Sequence, residues 1–474
     1  MIRLDPPGAV RWIARTLEEA GYETWAVGGA VRDALLDRAS SDWDLATRAR
    51  PEVMRRLFRR TVPIGIEHGT VGILDRQGSM YEVTTFRRDV ETTGRHAVVS
   101  FADTLEEDLA RRDFTINAVA WHPLEARLFD PFEGASDLDR RVLRTVGTPG
   151  DRFAEDYLRV LRALRFAGRF RLTVDPETWS ALCAAVPKMG RLSAERVREE
   201  LEKVLSGSEP PSSALGLYAG SGALDFLYPE VDRLVGTRRV SGGREAPVAI
   251  GPPPEGAEAA DRWGATLRAV DLLAGSPWEL RMAALLHAVG VPAAGALDPD
   301  PASPDASEGE RATLRALAIM TRLRASNARI GRVAAWVGGC ADPPAPEDDP
   351  AAWRRWLARV GREDAPGALR LWAALHRAYR MTGPSAPPGS GDPGRAATFL
   401  RRLRGELRSG SPLSEKELAI SGRDLIRMGY RPGPEFGVVF RRLLDAVIED
   451  PERNDPDRLI EDARRMLDEI GGES

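Results

Sequence analysis

The spacing of apolar and polar positions divides this chain into a strand-and-helix part and a helical remainder. In residues 1–145 short apolar runs bounded by turn residues alternate with helical periodicity. Trp25, Ala26 and Val27 lead into Gly28-Gly29 and then a helical stretch over 30–36, and residues 81–86 alternate as a half-buried strand does. From 152 to about 206 the period is that of helices, and it returns at 267–273, 279–289 and 312–323. Two Gly/Pro/Ala-rich stretches, 236–262 and 290–310, lack the composition for a packed core and are expected as loops or disordered inserts. A third breaker stretch, 383–395, leads into the last segment. The expected fold class is α+β, a mixed β-sheet with helices over 1–145 followed by all-α segments at 146–206, 207–382 and 383–474.

Chemistry-bearing residues cluster in the first part. Asp42 and Asp44 are one residue apart in a segment that reads as extended, which turns both carboxylates to one face of a strand. Two hard oxygen ligands on one face suit Mg²⁺, commonly held by one or two carboxylates plus substrate phosphates; taken alone, the pair also fits a solvated turn. Gly28-Gly29 at the opening of a helical stretch allows close backbone approach to a phosphate, and Arg32 adds positive charge. Glu82, on the alternating strand, is the natural third carboxylate beside that pair, although it also reads as a surface glutamate. Around Ile116 stand Arg111, Arg112, Asp113 and Asn117. Arginine forks bind phosphate oxygens and Asp or Asn bonds ribose hydroxyls; an amphipathic helix start fits the same text.

In order, GGAVRD (28–33), SDWDLAT (41–47), EVTTFR (82–87), RRDFTINA (111–118), DPFEGASDL (130–138) and EDYLRVLRALRFAGRF (155–170) resemble the class II tRNA nucleotidyltransferases, the CCA-adding enzymes, and their bacterial poly(A) polymerase relatives. The resemblance covers roughly 22–205. It implies a nucleotidyltransferase head at 1–145, a helical neck at 146–206 with a base-reading helix, a body at 207–382 and a tRNA-binding tail at 383–474. It further implies template-independent addition of C and A from CTP and ATP to a tRNA 3′ end, with Mg²⁺ as cofactor. Asp42, Asp44 and Glu82 would be catalytic, the first two as metal ligands. Gly28, Gly29, Arg32 and Asp33 would shape the triphosphate end, Arg112, Asp113 and Asn117 would contact sugar and phosphate, and Arg162 would join the nucleotide site.

Hydrogen-bond inventory gives Asp156 and Arg159 a specific task. Three apart, they share one face of a helix starting near Glu155. A carboxylate only accepts and a guanidinium only donates. Cytosine and adenine both present an amino donor beside a ring-nitrogen acceptor, so one Asp/Arg pair reads both. Guanine and uracil reverse the pattern, and unpaired groups cost about 1–3 kcal/mol each. A surface i,i+3 ion pair is the alternative for the same spacing.

Poly(A) polymerases of this family resemble each other in a basic stretch before the third carboxylate, whereas this chain reads PIGIEHGTV at 63–71, the text of the CCA side. Residues 87–105 correspond to the family's flexible loop, which CC-only relatives lack, so full CCA addition is expected, with A-only addition as the alternative. A second resemblance, of ELRMAALLHAVGVP (279–292) to an HD phosphohydrolase core, lacks its ligands. His287 is followed by Ala288, and no histidine stands at 264–267. Methyl groups cannot replace imidazole and carboxylate. His287 is then expected as a hydrogen-bonded helix residue.

Among 474 residues, 29% are charged and the net charge is −4, which gives no global attraction to RNA. Local grip is available from Arg159, Arg162, Arg165, Arg169 and Arg171, followed by Arg191, Arg196 and Arg198. Cys183 and Cys340 are too few for a disulfide framework or a zinc cluster. No apolar run approaches a membrane span and no signal-peptide pattern opens the chain, so the expectation is a cytoplasmic enzyme with no membrane association and no inferable protein partner.

Overall fold

The computed structural model describes residues 4–39, 42–93, 96–235, 262–290, 306–382 and 396–472. They form two compact units, one running to Val204 and including Ser213–Leu227, the other comprising Leu205–Ser212 and the described residues from Tyr228 onward.

The first unit is built on a mixed seven-stranded sheet. Its strands are β1 (Thr24–Val27), β2 (Asp44–Thr47), β3 (Thr61–Gly65), β4 (Thr70–Leu74), β5 (Met80–Thr85), β8 (Ala120–His122) and β9 (Arg127–Phe129), in the order β3-β4-β5-β2-β1-β8-β9. Only β2 and β5 run parallel; all other neighbours are antiparallel. Alternation along the strands separates two cores, as the two-residue side-chain period requires. Ala26, Leu45, Val71, Ile73 and Val83 pack with Val10, Ile13 and Leu17 of helix α1 (Gly8–Glu19). On the other face Trp25, Val27, Ala46 and Phe86 pack with Leu105 and Leu109 of a helix at Leu105–Ala110. That helix starts with a capping box between Thr104 and Glu107.

Residues 87–105, expected as a flexible loop, instead carry strands β6 (Arg87–Thr93) and β7 (His96–Phe101), paired antiparallel from Arg87↔Phe101 to Thr93↔His96. A β-rich run, HAVVSF, supplies one strand of this hairpin.

The helix expected to begin near Glu155 is also interrupted. One helix spans Pro149–Glu155 and the next Leu158–Phe170, with Asp156 between them in an extended conformation at φ −153° and ψ 108°. The Leu158 amide donates to Asp156 Oδ1 at 3.1 Å, so the carboxylate competes with the helical ladder and ends it. Asp156 and Arg159 therefore do not share a helix face. They are joined by a turn, with the Arg159 amide donating to the Asp156 carbonyl at 3.0 Å.

Every regular element among the described residues of the second unit is a helix, joined by turns and irregular segments. The stretches 236–261, 291–305 and 383–395 lie outside those residues, and with them most of the expected inserts. Residues 308–310, counted in the second insert, begin the helix Glu308–Arg322, where Ser307 and Glu310 form a capping box. His287 follows the helix Trp278–Leu286. Its Nδ1 lies 2.8 Å from the Ala284 carbonyl and its Nε2 3.0 Å from Tyr379 Oη. A carbonyl only accepts, so Nδ1 donates and Nε2 accepts from the tyrosine hydroxyl.

Candidate active site

Strand register places the acids. Leu45 pairs with Val83 across the parallel β2–β5 step, so the preceding residues Asp44 and Glu82 stand side by side. Val27 faces Asp44, Gly72 faces Glu82, and Val62 faces Gly72. Val27, Asp44, Glu82, Gly72 and Val62 thus form one row across five strands, spaced by about 4.8 Å per step. Asp42 and Glu82 are exposed, and Asp44 is half-buried. Burial first, then the charges of Asp42 and Glu82, push the Asp44 carboxyl up to about 6, against the opposing pull of Arg112.

The chain leaves β1 through Gly28, whose φ of 76° is one that residues with a Cβ rarely adopt. A Cβ there would stand 3.1 Å from Arg112 Nη1 and 3.9 Å from Asp44 Oδ2. The missing side chain lets the arginine and the acid approach the Gly28-Gly29 backbone.

Beside them runs a polar network. Arg32 Nη1 donates to Asn117 Oδ1 at 2.7 Å and its Nε to Asp33 Oδ1 at 2.8 Å, while its guanidinium lies over the Phe170 ring at 4.4 Å. Asn117 Nδ2 donates to Asp113 Oδ1 at 2.9 Å, and Arg162 closes on Asp113 Oδ2 through Nε at 2.8 Å and Nη2 at 2.6 Å. Burial alone would raise the Asp113 carboxyl, but Arg162 and the Asn117 amide outweigh it and hold it below the usual range. Arg112 donates to the Asn117 carbonyl at 3.2 Å and to Asp108 Oδ2 at 3.2 Å.

The proposed base readers are each held by a partner. Arg196, from the helix Ala194–Ser206, donates to Asp156 Oδ1 at 3.1 Å and to Oδ2 at 2.7 Å. Arg159 bonds to Glu155 and to the Arg152 carbonyl, the latter at 3.1 Å. Arg152 is itself tied to the Ala110 carbonyl at 2.8 Å and the Val146 carbonyl at 3.0 Å.

These groups enclose one cavity of about 540 Å³. Gly28, Gly29, Arg32, Asp44, Arg112, Asp113, Asn117, Asp156, Arg159 and Arg162 all line it. Asp33 is not in the lining and acts on it through Arg32; Asp42 and Glu82 lie outside it too. The sequence reading missed Phe166, a π-face amid arginines, and the tie between Arg196 and Asp156. The local clue to Phe166 was its helical spacing from Arg159 and Arg162; nothing local pointed to a partner forty residues away.

The acids fit a magnesium ion that depends on its substrate. Among the described residues no three His, Cys, Asp or Glu side chains converge to enclose a metal. Asp44, which lines a cavity rich in arginine and carries the negative charge of Asp42 and Glu82 beside it, matches the Mg²⁺ habit of taking one or two carboxylates plus phosphate oxygens and water.

Residues 24–144 match the model described as "Poly A polymerase head domain", and residues 171–234 the model described as "Probable RNA and SrmB- binding site of polymerase A". A CCA-adding enzyme of Levilactobacillus brevis is 46% identical over 202 residues, 42% of this chain and 50% of that protein, so this match spans about half the relative's length. A CCA-adding enzyme of Geobacillus stearothermophilus is 32% identical over 455 residues, 94% of each chain. The crystal structure of the Bacillus stearothermophilus CCA-adding enzyme in complex with CTP superposes with a TM-score of 0.67 at 28% identity, covering 99% of this chain and 100% of that one. Among the described residues no helix is long and apolar enough to cross a membrane.

Proposed function

Because this chain belongs to the CCA-adding enzyme family, we propose that it extends the 3′ end of tRNA with C and A, drawn from CTP and ATP, without a nucleic-acid template and with release of pyrophosphate. The observation that carries this reading is the single cavity in which Asp44, the Gly28-Gly29 turn, Arg112 and the Asp156/Arg159 pair meet. It has one wall for phosphate chemistry and one for a base.

Asp42 and Asp44 are the side chains that would hold Mg²⁺. When bound, the metal would favour the deprotonated 3′-hydroxyl and offset charge on entering and leaving oxygens. Glu82, beside Asp44 in the row, orients the acceptor end. Gly28, Gly29 and Arg32, the last braced by Asp33, form the triphosphate wall, and Arg112, Asp113, Asn117 and Arg162 form the sugar and phosphate wall. Asp156 accepts from the amino group of C or A and Arg159 donates to the ring nitrogen. A carboxylate has about four lone-pair sites, so Asp156 keeps about one, on Oδ2, beyond the two bonds from Arg196 and the one from the Leu158 amide. We assign base reading to 146–206, the body to 207–382 and tRNA binding to the tail at 383–474. The working compartment would be the cytoplasm.

The poly(A) polymerase head match supports a second reading, polyadenylation, against which the text at 63–71 speaks. One assay separates the outcomes. RNAs ending at the discriminator base, in C, and in CC are incubated with CTP, ATP or both. Growth by three nucleotides on the first RNA with both triphosphates is expected. Addition of A to the CC-ended RNA alone marks an A-adding enzyme, and long adenylate tails on unrelated RNA mark a polymerase.

A further inference from the structure

The row that carries the acids continues into an uncovered apolar surface. Beyond Glu82 it passes to Gly72 on β4 and Val62 on β3. Met80, two residues from Glu82 on β5, lies on the same face by alternation. Ile64 reaches the same spot, since a Cβ on Gly72 would stand 2.7 Å from Ile64 Cδ1 and 2.9 Å from Met80 Sδ. Ile64 and Met80 therefore meet over the bare Gly72 backbone. They are 40% and 50% exposed, and Val62 is 37% exposed. Large aliphatic side chains grouped on an open sheet face, one strand from an acid, call for a ligand with a flat apolar surface.

We propose that Ile64, Met80 and Val62 form the platform on which the terminal base of the RNA acceptor rests. The inference deepens the proposed function and rests on it. The nucleotide cavity lies on the β1 side of the acids, lined by Gly28 and Gly29. The aliphatic surface lies on the β4–β3 side, so Asp44 and Glu82 stand between the two. In-line displacement brings the attacking hydroxyl from the side opposite the leaving pyrophosphate, which here is the side of the platform. One strand spacing, about 4.8 Å, separates Glu82 from Gly72, close to the span between a ribose 3′-oxygen and its own base. Aliphatic side chains accept any base, as a surface must when the terminal nucleotide changes at each addition. The charge nearby fits a polyanion. Arg59 and Arg60 precede β3, Arg76 follows β4, and all three are exposed.

The test uses wild type and the double variant I64S/M80S, with tRNA acceptors whose terminal nucleotide is intact or abasic. Serine at two exposed positions should leave the unfolding midpoint unchanged. KM for the intact RNA should rise about tenfold, the effect of uncovering roughly 50 Å² of apolar surface, with KM for CTP unchanged. Wild type should lose the same factor on the abasic RNA, and the variant should lose nothing further on it. An unchanged KM for RNA in the active variant, or losses that multiply, would overturn the platform. A wild-type dimer that the variant turns into a monomer would assign the surface to a second copy and overturn it as well. Absence of any transfer by wild type would instead sink the reading on which the platform rests.

Discussion

Arg196 grips both carboxylate oxygens of Asp156, at 3.1 and 2.7 Å, from a helix forty residues further along the chain. The acid that would accept from the base is thus held in one orientation before a nucleotide arrives. Loss of Asp156 removes a charged hydrogen bond worth about 1.5–3 kcal/mol, or about ten- to a hundredfold in relative kcat/KM. Asp156→Ala should reduce CTP and ATP use together and narrow their advantage over UTP and GTP. Arg196→Ala should erode the same discrimination by a smaller factor, because it loosens the acid without deleting it. Measuring kcat/KM for all four triphosphates decides this. Unchanged preference in both variants would place base selection elsewhere.

At Gly28 a positive φ and a guanidinium 3.1 Å from the Cβ position act together. Gly28→Ala should cost about 1–3 kcal/mol of stability and push Arg112 away from the turn. KM for CTP and ATP should rise in parallel while KM for the RNA stays put. Equal increases for RNA and triphosphates would mean a general collapse of the head.

For Asp44 the sign of the pH effect follows from its raised value of about 6. The folded state favours the protonated acid, so its contribution to stability is present in full below the ordinary value near 3.8 and is lost as pH rises through about 6. Without Mg²⁺ at pH 7.5, Asp44→Asn should raise the unfolding free energy by on the order of 1–2 kcal/mol while abolishing nucleotide transfer. A large fall in the unfolding midpoint would make the carboxylate structural rather than catalytic.

His287 behaves in the opposite sense. Burial, with the positive charge of Arg262 adding to it, lowers the imidazole from 6.5 to about 4, against the opposing pull of its hydrogen bond to the Ala284 carbonyl. Stability from this group is present above pH 6.5 and is lost as pH falls through about 4, on the order of 2 kcal/mol in all. Chemical denaturation of wild type and His287→Gln at pH 7 and pH 4.5 should give curves that converge at the lower pH. Parallel curves at both would show that His287 titrates as a solvent-exposed residue does.

Residue type and short spacing determined much of this protein. Trp25-Ala26-Val27 followed by Gly-Gly specified strand, turn and helix. The alternating acids suggested the Mg²⁺ ligands proposed above, and the order of motifs named the family. The strand, the turn and the spacing of the acids are decided by groups within a few residues of one another, where backbone geometry leaves little choice, and the family by short motifs that each read the same way whatever lies between them. The tertiary structure decided what depends on register and packing. A parallel pairing across thirty-eight positions set Glu82 beside Asp44, and helix packing brought Arg196 onto Asp156. The break at Asp156 was also a tertiary outcome, since its carboxylate serves Leu158 and Arg196 at once and leaves the helical ladder unfavoured there. The hairpin at 87–101 was legible in part, since HAVVSF is β-rich and its partner strand stands next to it in the sequence; only the pairing itself decided the register, with its shift between Asp89 and Glu91.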